Sequence, residues 1–201
     1  TAWCVIDDYG IMETIAYPTP NTADIAKQTL ALMRKYNVPA QSVMFDRGGG
    51  GMQIAHQLRD QGFYVQTVGF GEAVNPRPRR GLQTIKNRIE HSEEKYTYAN
   101  RRAEMYWKLS EMLDPGLPPK HGIGFGIPDK DLELRRQLAP IPKKYDKEGQ
   151  MWLPPKNKKD KDSKEKTLID IIGCSPDRAD ALVVALYCRD FATRRVTAGV
   201  A

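Results

Sequence analysis

The sequence predicts an α/β fold, and two segments carry that prediction. Residues 2–6 and 11–17 lie on either side of DDYG, a turn signal, which together predict a β-hairpin. Further along, a short buried strand at residues 42–45 is followed by DRGGGG, a helix from about Met52 to Gln61, and a second strand at residues 63–70. A strand, a glycine turn, a helix and another strand form a βαβ unit, so these two strands are expected to be parallel.

Cap and breaker residues predict the other elements. The expected helices run from Asn21 or Thr22, either of which can cap, to about Tyr36; from about Asn100 to Met112; from Asp129, as the cap, to Gln137; and from Ser175 onward. Gly62 is expected to end the helix of the βαβ unit. Possible edge strands at residues 138–141 and 151–153 flank a turn near DKEG, while residues 71–95 and 113–126 are expected to be loops.

Composition is that of one soluble globular domain. The chain has 201 residues, 40% of them apolar and 28% charged, which is enough for a hydrophobic core. Apolar runs are shorter than the roughly 18 residues that a membrane span needs, and no basic leader precedes the first apolar segment. A net charge of +6 weakly favours a polyanionic partner. Basic residues cluster at positions 75–81, 100–108 and 156–166, although each cluster alone is also typical of a solvated surface.

The three cysteines, Cys4, Cys174 and Cys188, show no CxxC spacing and no histidine at ligand distance along the chain. This pattern argues against a zinc site and against a disulfide framework, and it fits a reducing compartment. We therefore expect all three to be packing residues.

The last predicted helix carries two acidic residues at its start. In SPDRADALVVALY (residues 175–187), Ser175 can cap the helix and Pro176 suits the first helical position. Asp177 and Asp180 are three residues apart and so share one face of the helix. The apolar residues that follow predict a buried helix. Because an unpaired buried charge is costly, these carboxylates are expected to form ion pairs, to cap the helix, or to bind a cation.

A third acidic residue, Asp46, follows the strand of residues 42–45, at the edge where open α/β sheets place reacting groups. The glycines after it could let the backbone approach a large ligand, or could serve only a sharp bend. A nucleotide-binding loop is disfavoured, because neither GxxxxGK[ST] nor GxGxxG with a suitably placed acid is present. Together, Asp46, Asp177 and Asp180 would suit Mg²⁺ or Mn²⁺, and two such ions can drive phosphodiester cleavage. The histidines, His56, His91 and His121, have no nucleophile signature nearby.

The order of these segments resembles a known family. VMFDRGGGGMQIAHQLRDQGFYVQTVGF, then YANRRAEMYWKLSEML, then SPDRADALVVALY is similar to the nuclease domain of the large terminase subunit of tailed bacteriophages. The resemblance implies a ribonuclease H-like fold, with a central mixed β-sheet flanked by α-helices, over about residues 1–190. It also implies that Asp46, Asp177 and Asp180 are the catalytic, metal-binding acids, with Asp180 as the second acid of a D-x-x-D-A-L pattern. Which of Asp177 and Asp180 binds metal directly is left open.

The first strand of this fold normally carries one more aspartate. We expect that strand and its ligand to lie upstream of Thr1, because residues 2–17 match the hairpin that follows it in the family. The rival interpretation makes residues 2–8 the first strand, with Asp7 or Asp8 as the ligand. If the first aspartate is absent, the fragment is expected to bind metal weakly.

The resemblance further implies a substrate and partners. The domain would cut double-stranded, concatemeric viral DNA during genome packaging in the host cytoplasm, as the C-terminal part of a protein with an ATPase motor domain. The small terminase subunit and the portal of the prohead would be its partners, with no membrane involved. Predicted DNA contacts are Lys156, Lys158, Lys159, Lys161, Lys164 and Lys166 in the lysine-rich run, and Arg47, which could equally form a surface salt bridge. Two alternatives are a Holliday-junction resolvase or transposase-like nuclease, and an inert DNA-binding or motor-docking module.

Overall fold

The computed structural model describes residues 1–74, 97–116, 124–157 and 165–196, with side chains described as far as residue 190. The strands are β1 (Ala2–Ile6), β2 (Ile11–Ala16), β3 (Met44–Asp46), β4 (Gln66–Val68), β5 (Lys144–Tyr145) and β6 (Met151–Trp152). The helices are α1 (Thr22–Tyr36), α2 (Gly51–Asp60), α3 (Arg101–Met112), α4 (Leu132–Leu138), α5 (Leu168–Ile172) and α6 (Asp177–Val196). The predicted loops at residues 71–95 and 113–126 lie partly outside the described residues.

The predicted hairpin is confirmed. β1 and β2 pair antiparallel, with Trp3 opposite Ile15. The carboxylate of Asp7 accepts hydrogen bonds from the backbone amides of Tyr9 and Gly10, both at 2.8 Å, and so closes the turn.

The βαβ unit is also confirmed, because β3 and β4 pair parallel with Asp46 beside Val68. The second strand is shorter than expected, since residues 63–65 do not join the ladder. Gly62 takes a left-handed φ of 88° just after α2, which is the conformation that a glycine best supplies at a helix end.

Helix α6 organises the core. Ala179, Leu182 and Val183 are at most 1% exposed and pack among apolar residues of α3 and α4, including Leu109 and Leu134. β1 and β3 also lie against α6. A helix that is apolar on most sides needs partners all round, and here it has helices on one side and strands on the other.

A second apolar cluster lies between the hairpin and the two helices that precede and follow β3. Its most buried members are Leu58, Ala55 and Ile54 of α2, and it also contains Trp3 of β1 and Ile25 of α1. Asn21 caps α1 as predicted, accepting a hydrogen bond of 2.9 Å from the amide of Asp24.

The cysteines are free, as expected. Burial raises the pKa of Cys4 to about 12 and that of Cys188 to about 11, so neither is a thiolate at neutral pH. Among the described residues, every helix is too short or too polar to cross a bilayer.

The cap of α4 was predicted wrongly. Asp131 caps it by accepting from the amide of Leu134 at 3.0 Å, whereas Asp129 is almost fully exposed and pairs with Arg135. Both aspartates suit a cap chemically, and the position of the helix start selects the second one. Residues 138–141 end this helix and form no strand, and β5, which pairs with β6, begins at Lys144 instead.

The start of α6 also differs from the prediction. The hydroxyl of Ser175 donates to the Asp177 carboxylate at 2.6 Å, and the first helical hydrogen bond runs from the amide of Asp180 to the carbonyl of Pro176. Pro176 therefore holds the cap position predicted for Ser175, one residue later. The sequence analysis missed helix α5. A capping box between Thr167 and Asp170 stabilises its N-terminus.

Candidate active site

A cleft of about 660 Å³ separates β1 from β3. Residues of β1 line one wall, those of β3 line the other, and residues 181, 184, 185 and 188 of α6 are also among its lining. The acidic residues at the cleft are Asp7, Asp8, Asp46, Asp177 and Asp180, and Lys156 lies among them. The structure thus brings the three predicted carboxylates to one cavity.

Asp46 reaches the cleft from the C-terminal end of β3, and the glycines after it serve this placement. A Cβ on Gly51 would lie 1.8 Å from the Asp46 carbonyl oxygen, and one on Gly48 would lie 2.9 Å from Asp46 Oδ2. Gly49 and Gly50 take left-handed φ values of 58° and 90°. Gly48 and Gly51 therefore let the turn pack closely against Asp46 at the end of β3. Gly49 and Gly50 supply the left-handed backbone that the turn needs.

Asp177 is the more accessible acid on α6, with 42% of its side chain exposed. Its Oδ1 accepts from Lys156 Nζ at 2.8 Å and from the Ser175 hydroxyl at 2.6 Å. Burial by itself would raise the pKa of Asp177, but these two donors together hold it below its usual value. This carboxylate therefore stays ionised and faces the cleft.

Asp180 has a different environment, with only 14% of its side chain exposed. Its Oδ1 accepts from Arg102 Nη2 at 2.8 Å and from the Tyr106 hydroxyl at 2.7 Å, and Lys156 Nζ lies 3.3 Å from Oδ2. Burial would lower the pKa of Arg102, yet the adjacent Asp180 and Tyr106 raise it overall. Burial, reinforced by the Asp180 charge, raises the pKa of Tyr106 well above its usual value, so the hydroxyl stays a donor.

Of the predicted DNA contacts, the structure describes Lys156, Lys166 and Arg47. Lys156 is bound to both acids of α6, and Lys166 is exposed. Arg47 pairs with Glu72, and its Nε donates to the Thr67 hydroxyl at 3.2 Å, which is the salt-bridge alternative of the sequence analysis. The others, Lys158, Lys159, Lys161 and Lys164, lie outside the described residues.

The donor set is only part of a cation site. Carboxylate oxygens without histidine or cysteine suit Mg²⁺ or Mn²⁺. Within the described ranges, however, no three acidic, histidine or cysteine side chains are close enough together to hold one ion. Lys156 Nζ contacts Asp177 and Asp180 together, where a bound cation would compete with it.

Sequence reasoning missed two partners of these acids. Arg102 and Tyr106 lie in the NRRAEMY segment, which the sequence analysis singled out for its resemblance and for its basic charge. Their spacing of four residues places both on one face of α3 and was a readable signal. Nothing in the sequence linked that face to Asp180, which is 78 residues from Arg102.

Two solved structures share this architecture. Both are lysine-to-alanine variants of the nuclease domain of the large terminase subunit gp2 of bacterial virus Sf6, one with manganese and β-thujaplicinol and the other with manganese. The first is 18% identical, with 88% of this chain and 77% of that chain covered at a TM-score of 0.59. The second is also 18% identical, with 90% and 80% covered at a TM-score of 0.62.

The chain has the fold of a terminase nuclease domain. This confirms the predicted ribonuclease H-like α/β class. The described strands, however, form three separate two-stranded sheets and not the one central mixed sheet that was expected. No protein-family model matches the sequence, and no curated protein is detectably similar to it.

Proposed function

We propose that this domain is a divalent-metal-dependent endonuclease that cuts double-stranded DNA, in the manner of a terminase nuclease during viral genome packaging. The observation that carries the proposal is that Asp46 and Asp177 line one cleft of a fold shared with a terminase nuclease domain. In this role the domain would work in the host cytoplasm, beside an ATPase motor domain, the small terminase subunit and the portal of the prohead.

The protein groups at the cleft have separable roles. Asp46 and Asp177 would hold Mg²⁺ or Mn²⁺, which when bound supply an activated water and charge stabilisation at the leaving oxygen. Ser175 orients the Asp177 carboxylate through its 2.6 Å hydrogen bond. A cation at Asp177 would displace Lys156, whose ammonium group would then be available to a phosphate of the DNA backbone.

The cleft between β1 and β3 is also where we place the missing ligand. Within the described residues these strands belong to different two-stranded sheets, and both line the cavity. An unpaired strand edge is a template for another strand, and one further strand could pair with both edges. We assign this place to the strand expected upstream of Thr1, with its aspartate beside Asp46 and Asp177.

The rival ligands are less suited to this role. The Asp7 carboxylate already accepts two backbone hydrogen bonds in the hairpin turn. Asp8 is exposed and lies in the same turn, at the end of the hairpin.

Substitution of the two acids tests the proposal. We expect Asp46→Asn and Asp177→Asn each to abolish Mn²⁺-dependent plasmid cleavage while thermal unfolding stays cooperative, because each change removes a charge but little volume. The assay should use the longer protein with its upstream residues as well as this chain. Asp60→Asn, an exposed acid at the end of α2, is the matched control and should cleave like the parent.

Cleavage at the parental rate by both cleft variants would show that the site is wrong. A linear duplex and a branched junction as parallel substrates separate the terminase role from that of a resolvase, which would prefer the junction.

A second candidate, an inert DNA-binding or motor-docking module, is favoured by one observation: the described acids do not form a three-ligand cluster. Metal titration separates the two. Mn²⁺ binding that is lost in Asp177→Asn supports the nuclease, whereas DNA binding without carboxylate-dependent metal binding in the longer protein supports the inert module.

A further inference from the structure

The first turns of α3 hold the part of α6 that carries the site acids. Arg102 and Tyr106 lie one turn apart on α3, and both donate to Oδ1 of Asp180, at 2.8 and 2.7 Å. Asp180 lies less than one turn after Asp177 and is tied by its own amide to the carbonyl of Pro176. Contacts that hold Asp180 in place therefore also orient the Asp177 side chain on the same turn of α6.

The same turn of α3 is also tied to the loop that follows β4, the strand that pairs with β3. The amides of Arg101 and Arg102 donate to the carbonyls of Glu72 and Phe70, at 2.8 and 3.0 Å. The Glu72 carboxylate pairs with Arg47, the residue that follows Asp46. The start of α3 thus contacts the loop after β4 through its backbone and α6 through its side chains.

We propose that α3 is a brace that sets the separation of Asp46 and Asp177, with Asp180 acting as its anchor and not as a metal ligand. This inference rests on the proposed function, because it assigns roles within the same site. Arg102, Tyr106 and Asp180 are then positioning residues, and Asp177 is the acid of α6 that meets the cation.

The coordination of Asp180 supports this division. Both of its oxygens have protein donors, and its Arg102 partner has only 10% of its side chain exposed. A metal ion at Oδ1 would have to break a buried ion pair, which leaves a buried charge without compensation. Asp177, by contrast, is three times as exposed, at 42% against 14%, and its partner Lys156 can swing into solvent.

Tyr106→Phe is the cleanest perturbation, because it removes one hydroxyl and keeps the buried ring. The matched control is Asn21→Ala, which removes the cap of α1 and is expected to cost similar stability away from the cleft. Both should lower the melting temperature by about 3 °C. Only Tyr106→Phe should weaken Mn²⁺ binding, by about tenfold, because Asp180 then holds the start of α6, and with it Asp177, less firmly.

A double-mutant cycle shows whether Tyr106 acts through Asp180. We expect Tyr106→Phe combined with Asp180→Asn to bind Mn²⁺ as Asp180→Asn alone does, because the second change has already removed the acceptor charge. Asp180→Asn should weaken binding far less than Asp177→Asn does. Equal losses from the two aspartate variants, or additive effects in the double variant, would overturn the anchor role.

Hydrogen exchange tests the brace without metal. The amides of residues 177–181 should exchange faster in Tyr106→Phe than in Asn21→Ala, and equal exchange would overturn the brace. If Asp177→Asn binds Mn²⁺ as the parent does, the proposed function fails, and the exchange result still decides whether α3 holds α6. If Asp177→Asn loses the metal but Tyr106→Phe matches Asn21→Ala, only the brace fails.

Discussion

A single methyl group on Gly51 is expected to disrupt the end of β3. In Gly51→Ala the new Cβ would lie 1.8 Å from the carbonyl oxygen of Asp46 and 3.2 Å from the Cβ of Phe45. Contacts below 3.0 Å essentially never occur for a real Cβ, so the two backbones must separate by more than 1 Å. The obstacle is backbone, which cannot rotate away as a flexible side chain would.

The size of the effect follows from this geometry. Overpacking of this kind costs about 1–3 kcal/mol, and a clash with backbone belongs at the upper end. For a chain of this length, a loss of about 3 kcal/mol lowers the melting temperature by roughly 6–12 °C. Since β3 ends at Asp46, a displacement of about 1 Å should also reduce cleavage by a factor of about 100.

Gly71→Ala is the matched control, because a Cβ there meets nothing within 4 Å and its φ is not left-handed. We expect this variant to be unchanged or slightly more stable. The measurements are thermal unfolding and Mn²⁺-dependent plasmid cleavage, made on both variants and the parent. If Gly51→Ala melts and cleaves as Gly71→Ala does, the packing of Gly51 against Asp46 does not position the acid.

Two further predictions concern the charges behind the site. Because the pKa of Asp177 is held below its usual value, its contribution to stability is complete above about pH 4 and is lost as the pH falls through the lowered pKa. Lys156→Met removes the contact that lowers the pKa of Asp177 most. The melting temperature of this variant should therefore depend less steeply on pH in that acid range. The same dependence of melting temperature on pH as in the parent would contradict the role of Lys156. Arg102→Ala should lower stability by about 3–5 kcal/mol, since it leaves the Asp180 carboxylate buried without its main partner. Arg136→Ala, which breaks a 3.6 Å pair between exposed side chains, should change stability by less than about 0.5 kcal/mol, and equal losses in denaturant unfolding would argue against a buried pair.

Local signals predicted most elements correctly. Of the two predicted caps for α1, Asn21 is the one that caps, and α3 begins next to Asn100, close to the predicted start; the two side chains accept from the amides of Asp24 and Ala103. DDYG predicted the hairpin, and the strand–glycine–helix order predicted the parallel pair. These features depend on residues a few positions apart, so the sequence displays them directly.

Errors occurred where two local solutions were equally good. Asp129 and Asp131 can each cap a helix, and the start of α4 selects Asp131. Ser175 looked like a cap, but its hydroxyl binds the Asp177 carboxylate. In both cases the two candidate positions lie within two residues of each other, and the helix begins after the second one.

The sequence by itself determined the α/β class, the hairpin, the βαβ unit, and the two positions, a strand end and a helix start, from which Asp46 and Asp177 project. Only the tertiary structure decided the surroundings of each acid, because these depend on partners remote along the chain: Arg102 for Asp180, and Lys156 for both acids of α6. Burial and ion pairing are properties of the folded surface. Two aspartates three residues apart therefore look equivalent in the sequence, yet 42% of the Asp177 side chain is exposed and only 14% of the Asp180 side chain is.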